Sequence, residues 1–295
     1  MTVAIEVHGL RKAYGSHEAV RGIDFSVRRG EVFGLLGPNG AGKTTTVEIL
    51  EGYRERTSGE VRVLGMDPAE RPVELRERVG VVLQSCGIYR YLTVREAVSH
   101  WASLYPAPRD VEETMSVAGL TEVGEQRTRT LSGGQQRRLD FALALIGDPE
   151  LIFLDEPTTG FDPAARRKAW ETVRSLRDLG KTVLLTTHYL DEAQVLADRV
   201  AIIKDGAILA EGPPAELGGR VRHRVRWVQD GRPVEHETED PTRLLHEATG
   251  AALARGETLE ALEVTRPSLE DVYLELTAER SEREALSGGQ RSETR

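Results

Sequence analysis

The octapeptide Gly37-Pro38-Asn39-Gly40-Ala41-Gly42-Lys43-Thr44 follows a short apolar run, Glu31–Leu36, with no linker between them. A strand feeding straight into a glycine-rich loop and then a helix is the context that a phosphate-binding loop requires. Gly37, Gly40 and Gly42 let the backbone turn several N–H groups toward one anion. A helix beginning at Gly42 and running to about Glu51 adds a favourable dipole at the same place. In such a loop Lys43 reaches the β- and γ-phosphates of a nucleotide, and the Thr44 hydroxyl ligates Mg²⁺.

Further along, the strand Leu151–Asp155 ends in two carboxylates. Asp155 can hold a metal there, usually through water, and the adjacent Glu156 is a candidate general base for an attacking water. His188 directly follows the strand Thr182–Thr187, and Gln84 closes the strand Val79–Gln84. In Leu131-Ser132-Gly133-Gly134-Gln135, Ser132 can cap the helix Ser132–Ile146 while its two glycines expose N–H groups to a second anion. Thr159-Gly160-Phe161-Asp162 leads into a helix whose proline, Pro163, suits the first turn.

As an ordered set these motifs resemble the nucleotide-binding subunit of an ATP-binding-cassette (ABC) transporter, over roughly residues 3–217. The resemblance implies an α/β phosphate-loop ATPase core with antiparallel β and helical subdomains, and ATP and Mg²⁺ as cofactors. It implies a cofactor-binding set of Tyr14, Gly37, Pro38, Asn39, Gly40, Ala41, Gly42, Lys43, Thr44 and Thr45, with Tyr14 against adenine. Ser132, Gly133, Gly134 and Gln135 would serve ATP bound to a second ATPase subunit, and Asp162 would lie on the loop crossing between the two sites. Two chains would then sandwich two ATP molecules head to tail, a closed two-fold arrangement. Thr44, Gln84 and Asp155 would be metal ligands, and Glu156, His188 and Gln84 the catalytic group. By the same resemblance His188 contacts the γ-phosphate and orients the base, while Gln84 links the metal site to a transmembrane partner.

The domain pattern is α/β from 1 to 217, interrupted by a mostly helical stretch at about 85–148 with helices at Val94–Tyr105 and Val111–Gly119. Strands are expected at Val3–Leu10, Ala19–Val27 and Glu60–Leu64, and Asp205-Gly206 marks a hairpin between Val200–Lys204 and Ala207–Ala210. Gly212-Pro213-Pro214 and Gly218-Gly219 punctuate a boundary near 218. A small α+β domain follows at 218–280, with strands at Val221–Val228, Val234–Thr238 and Leu259–Val264 and helices at Pro241–Ala254 and Ser268–Ala278. Residues 281–295 read as a disordered tail. Arg266-Pro267-Ser268-Leu269-Glu270-Asp271-Val272-Tyr273-Leu274-Glu275-Leu276-Thr277 resembles the closing segment of ATPase subunits of daunorubicin-resistance-type ABC-2 exporters.

Composition narrows the partners. A formal net charge of -9 argues against nucleic acid, whose backbone needs a basic face. The single cysteine, Cys86, forms no intrachain disulfide and fits a reducing cytosol. No run approaches the roughly 18–20 apolar residues that span a bilayer, and no signal peptide is visible, so the permease is expected to be another polypeptide with this chain on the cytoplasmic face of the membrane. Importer ATPase and permease-free regulator are the alternatives. A ribosome-acting ATPase would carry two cassettes, and a DNA-repair ATPase would need a coiled coil for which the interval Thr45–Thr130 has no room. Arg220, Arg222, Arg224 and Arg226 alternate with apolar residues as one solvated strand face, or as a contact for an anionic partner. Tyr89 and Tyr91 are read either as permease contacts or as core. A second copy of the signature, Leu286–Gln290, lacks a following amphipathic helix and is read as coincidence.

Overall fold

The computed structural model describes residues 2–82, 90–217, 223–229, 231–265 and 269–274. It divides into two units, Met1–Gly212 and Pro213–Arg295.

In the first unit, the strands β1 (Val3–Tyr14), β2 (His17–Arg28) and β4 (Ser58–Val63) form an antiparallel sheet in the order β2-β1-β4. β1 continues past Leu10, where the alternation of apolar residues breaks, because its register shifts between Val7 and Leu10 and again between Leu10 and Arg11. Such bulges let a strand stay paired while its side chains lose period-two order. Tyr14 therefore faces His17 across a two-residue turn.

The second sheet has six strands in the order β5-β6-β7-β3-β8-β9. These are β3 (Val32–Leu36), β5 (Val79–Val82), β6 (Leu151–Asp155), β7 (Thr182–Thr187), β8 (Arg199–Lys204) and β9 (Ala207–Gly212). All neighbours are parallel except β8 and β9, which form the hairpin around Asp205-Gly206. β3 and β7 are buried along their whole length, as expected of strands covered on both faces. One face packs with α1 (Lys43–Leu50) and the antiparallel sheet, where Phe25 and Phe33 stack at 5.5 Å. The other face carries apolar residues of α5 (Gly133–Leu145), α6 (Pro163–Asp178) and α7 (Leu190–Leu196).

The helical subdomain is α3 (Val94–Ala102), α4 (Val111–Val117) and the outer face of α5 around Met115, Leu120 and Leu139. α3 opens on a capping box, Thr93 with Glu96. It ends at Ala102 rather than Tyr105, since Pro106 lies ahead and disfavours helical geometry in the residue before it. Two short helices, α2 (Val73–Arg78) and α7, have no side-chain cap and so carry no start signal in the sequence. Tyr91 is 72% exposed beside Arg129, so it is not a core residue. Tyr89 and Cys86 lie outside the described residues.

The second unit is an antiparallel sheet of β10 (His223–Gln229), β11 (Arg232–Thr238) and β12 (Glu260–Thr265), in the order β11-β10-β12, with α8 (Pro241–Ala254). Residues 269–274 are helical. Arg224 and Arg226 sit across from Glu237 and Glu235, and both guanidinium groups reach Glu235 at 3.1 and 3.0 Å. Oppositely charged cross-strand pairs account for these two arginines without an outside anion. Trp227 is buried on the other face, stacked on His236. Arg220, Arg222, the terminal segment 275–295 and its repeated pentapeptide fall outside the described residues.

Candidate nucleotide site

β3 ends at Leu36, and the chain turns over its own sheet before α1 begins. Gly42 is the N-cap at φ 104°, and a Cβ there would stand 2.6 Å from the Ala19 carbonyl oxygen. Only glycine meets both demands. The Gly42 carbonyl accepts bonds from the Thr46 amide and hydroxyl, which fixes the first turn. Gly40, at φ 81°, has open space around its missing side chain. The loop thus has one face locked to the protein and one free.

A cleft of about 510 Å³ opens on the free face. Pro38, Asn39, Gly40, Gly42, Lys43, Thr44 and Thr45 line it from the loop side, and Asp155 and Glu156 from the end of β6. Tyr14, His17 and Ala19 close it at the end of the antiparallel sheet. Tyr14 is 41% exposed, with Lys12 and Arg54 cations 5.1 and 5.4 Å from its ring centroid. Gly37 and Ala41 are buried beneath the loop, tied by the Gly37 N–H to the Thr187 carbonyl and by the Ala41 carbonyl to the Gly206 N–H.

Lys43 is buried, and its ammonium donates to the Gly37 and Pro38 carbonyls at 2.7 and 3.3 Å. It also lies 3.3 Å from Glu156 Oε1. The same oxygen is 3.3 Å from His188 Nδ1, within ion-pair reach but not aligned as a hydrogen bond. Glu156 Oε2 accepts from the Thr159 hydroxyl at 3.0 Å. Burial alone would raise the Glu156 carboxyl, but Lys43, the Thr159 hydroxyl and His188 together outweigh it and hold it below the ordinary range. Glu156 has φ 45°, in the left-handed region that a non-glycine residue rarely adopts, as strained residues at functional sites often do.

Thr186, next to the end of β7, explains how both carboxylates are set. Its hydroxyl donates to Asp155 Oδ1 at 2.6 Å and accepts the Glu156 N–H at 3.0 Å. Sequence reasoning passed over Thr186, and gave Thr159 a place in a motif but no role, because threonine in an apolar strand or a turn carries no signal of its own. Arg137 is a further case. Buried in α5, it donates to the carbonyls of Pro157 and Asp155 at 3.2 and 3.4 Å, tying that helix to the turn after β6.

Ser132, Gly133, Gly134 and Gln135 do not line this cleft. They form the N-terminus of α5, where Ser132 and Gln135 make a reciprocal capping box. A Cβ on Gly133 or Gly134 would meet nothing within 4 Å. Asp162 caps α6, its Oδ1 accepting from the amides of Ala164 and Ala165 at 2.8 and 2.9 Å. Gln84 lies outside the described residues.

The donor set suits Mg²⁺ shared with phosphate. The Thr44 hydroxyl and the Asp155 carboxylate are hard oxygen donors on one cleft. Among the described residues no cluster of three metal-ligating side chains occurs. An ion that keeps waters and takes phosphate oxygens needs no more than one or two protein ligands.

Known proteins point the same way. The ABC transporter family matches residues 20–159. The daunorubicin resistance ATP-binding protein DrrA2 of Streptomyces coeruleorubidus is 38% identical over 95% of this chain and 96% of its own length. The fluoroquinolones export ATP-binding protein of Mycobacterium tuberculosis is 39% identical over 94% of each. Among solved structures, the dimeric post-hydrolysis state of the ATP-binding cassette MJ0796 bound to ADP and Pi aligns with a TM-score of 0.62 and 26% identity, over 71% of this chain and 98% of that one. Phosphate loop, carboxylate pair and signature helix thus sit on the fold of known cassettes, and the chain is an ATPase belonging to the ABC transporter family, similar to its drug-resistance ATP-binding proteins.

Proposed function

We propose that this chain is the ATP-hydrolysing subunit of an ABC-2-type exporter of drugs or other small molecules, powering a separate membrane permease from the cytoplasmic face. The observation that carries hydrolysis is the meeting of Lys43 and His188 at one oxygen of Glu156, 3.3 Å from each, on the rim of the cleft lined by the phosphate loop. Export is supported by relatives named for resistance and export, whose similarity runs over 94–95% of the chain and so extends beyond the catalytic unit. Among the described residues no helix is long and apolar enough to cross a membrane.

In this reading the triphosphate lies along the free face of the loop, receiving its N–H groups and the Lys43 ammonium, with adenine toward Tyr14. Thr44 and Asp155 would hold Mg²⁺, which would supply charge neutralisation at the phosphates. Glu156 takes the proton of the attacking water, and His188 holds the carboxylate in line. Ser132 to Gln135, with open N–H groups at a helix N-terminus, fit the phosphates of ATP held by a second copy. Asp162, at the start of α6, lies on the loop running between the two sites.

The test is Glu156→Gln, which keeps shape and removes the base. ATP binding should be retained while turnover falls about 10²- to 10⁴-fold. Unchanged turnover would remove Glu156 from this role. Co-expression with the product of the neighbouring gene should place the chain in the membrane fraction with ATPase activity. Full activity in the soluble fraction with no membrane partner would overturn the exporter reading.

A further inference from the structure

Glu192 is the third residue of α7, in its first turn after Tyr189, and has no solvent exposure at all. A carboxyl in that position costs stability, and an apolar side chain of similar size would ordinarily serve the core better. What it touches explains why it is there. Its Oε1 accepts from the Thr158 hydroxyl at 2.8 Å and from the Trp170 indole N–H at 3.2 Å. Thr158 is itself fully buried and belongs to the turn after β6, two residues beyond Glu156. Trp170 belongs to α6, the helix that Asp162 caps.

The contact with Thr158 leads to the site within one peptide unit. Thr158 precedes Thr159, whose hydroxyl holds Glu156 Oε2 and whose amide holds the Glu156 carbonyl at 3.2 Å. On the other side, the Thr187 hydroxyl neighbours the Glu192 carboxyl and accepts the Tyr189 N–H at 2.9 Å, so the backbone on both sides of His188 is pinned. Arg166 of α6 stacks on Tyr189 at 4.2 Å, and Tyr189 lies against the His188 ring at 4.1 Å. Burial raises the Glu192 carboxyl above its ordinary range, against the pull of its hydrogen bonds and Arg166. In the neutral form it can donate as well as accept, which suits a junction of hydroxyls.

We propose that Glu192 is a positioning residue that ties the Glu156 turn, the middle of α6 and the His188 segment into one unit, so that base and histidine stay in register on the attacking water. This rests on the roles given above to Glu156 and His188.

The experiment measures steady-state ATPase activity of the full chain for Glu192→Ala, Glu192→Gln, Thr158→Val, Thr158→Ser and the double variant Glu192→Ala/Thr158→Val, with Glu156→Gln as control. A misplacement near 1 Å is worth on the order of 100-fold in rate, so Glu192→Ala should lower kcat at least about tenfold while KM for ATP stays within about twofold. Glu192→Gln and Thr158→Ser, which keep the hydrogen-bonding groups, should retain more than about half of kcat, and the double variant should be no slower than about the slower single one. Glu192→Ala with kcat within about twofold of the parent, a loss confined to KM, or losses that multiply in the double variant would each overturn the proposal. Should Glu192→Ala fail to fold, the contrast between Thr158→Val and Thr158→Ser decides, because loss of the hydroxyl alone must reproduce the kcat defect. A Glu156→Gln control that still turns over would place the failure in the underlying reading and not in Glu192.

Discussion

Replacing Glu51 by glutamine should stabilise the protein, and increasingly so as pH rises. Glu51 closes α1 in the wall of a second cavity, of about 630 Å³, that also contains Leu75, Trp101, Tyr105 and Leu143. One of its carboxyl oxygens is buried without a hydrogen-bond partner. Burial first, then the negative charges of Asp155 and Glu48, push the carboxyl from an ordinary 4.5 up to about 8. Here the folded state binds the proton more tightly than the unfolded one, so stability is greatest below pH 4.5 and drains away as pH rises toward 8. Integrating between those limits at roughly 1.4 kcal/mol per pH unit gives a total of about 5 kcal/mol, of which about 3 kcal/mol accrues between pH 5.5 and pH 9. Glutamine carries no such penalty. For a unit of this size, with about 2–4 °C of Tm per kcal/mol, the Tm difference between Glu51→Gln and the parent should widen by roughly 6–12 °C from pH 5.5 to pH 9. Differential scanning calorimetry at the two pH values measures it. A constant difference, or a variant less stable than the parent at pH 9, would refute the account.

Three other perturbations follow from contacts already described. Gly42→Ala meets both a left-handed backbone and the Ala19 carbonyl, whereas Gly40→Ala meets the backbone alone; thermal melts should show Gly42→Ala losing about 1–3 kcal/mol more, the usual range for overpacking. Thr186→Val removes the donor to Asp155 Oδ1 and an acceptor for the Glu156 amide, so it should cost about 1–3 kcal/mol in urea unfolding and lower ATPase turnover as well. Toward acid, Asp148, held low by hydrogen bonds from Lys181 and Arg109, and Glu150, held low by Arg78 and Arg29, contribute stability that is present above the ordinary carboxyl range and lost as pH falls through their depressed values. Lys181→Met should therefore flatten the acid limb of a Tm-against-pH curve while leaving its shape near neutrality unchanged.

The catalytic fold could be read because its determinants are local. A buried parallel strand is a short apolar run, and Glu31–Leu36, Leu151–Asp155 and Thr182–Thr187 each end at a glycine, a carboxylate or a histidine that marks the same edge of the sheet. Caps were local too, as Ser132 with Gln135 shows. Features that depend on pairing were not legible. The continuation of β1 to Tyr14 depends on bulges that break alternation, and α7 begins without a capping side chain. Glu192 reads along the sequence as one more acidic residue on a charged helix, and only Thr158 and Trp170, 34 and 22 residues away, reveal it as an internal junction. Thr186 is hidden for the opposite reason, since a hydroxyl inside an apolar strand passes for strand propensity.

The pairing of Lys43 with Glu156 gives the site an order of events. Without phosphate nearby, the ammonium has two carbonyls and one carboxylate to satisfy it, and that carboxylate is thereby kept a weak base. A bound γ-phosphate competes for the same ammonium with more charge and more oxygens. As Lys43 turns to the nucleotide, Glu156 loses its main positive neighbour, and burial, the largest influence on it, is left to raise its affinity for a proton. On the role proposed for Glu156, the base would then strengthen where and when a water is to be activated, with Thr159 and His188 still holding its geometry. In that role, nucleotide arrival would couple to catalytic competence through one lysine.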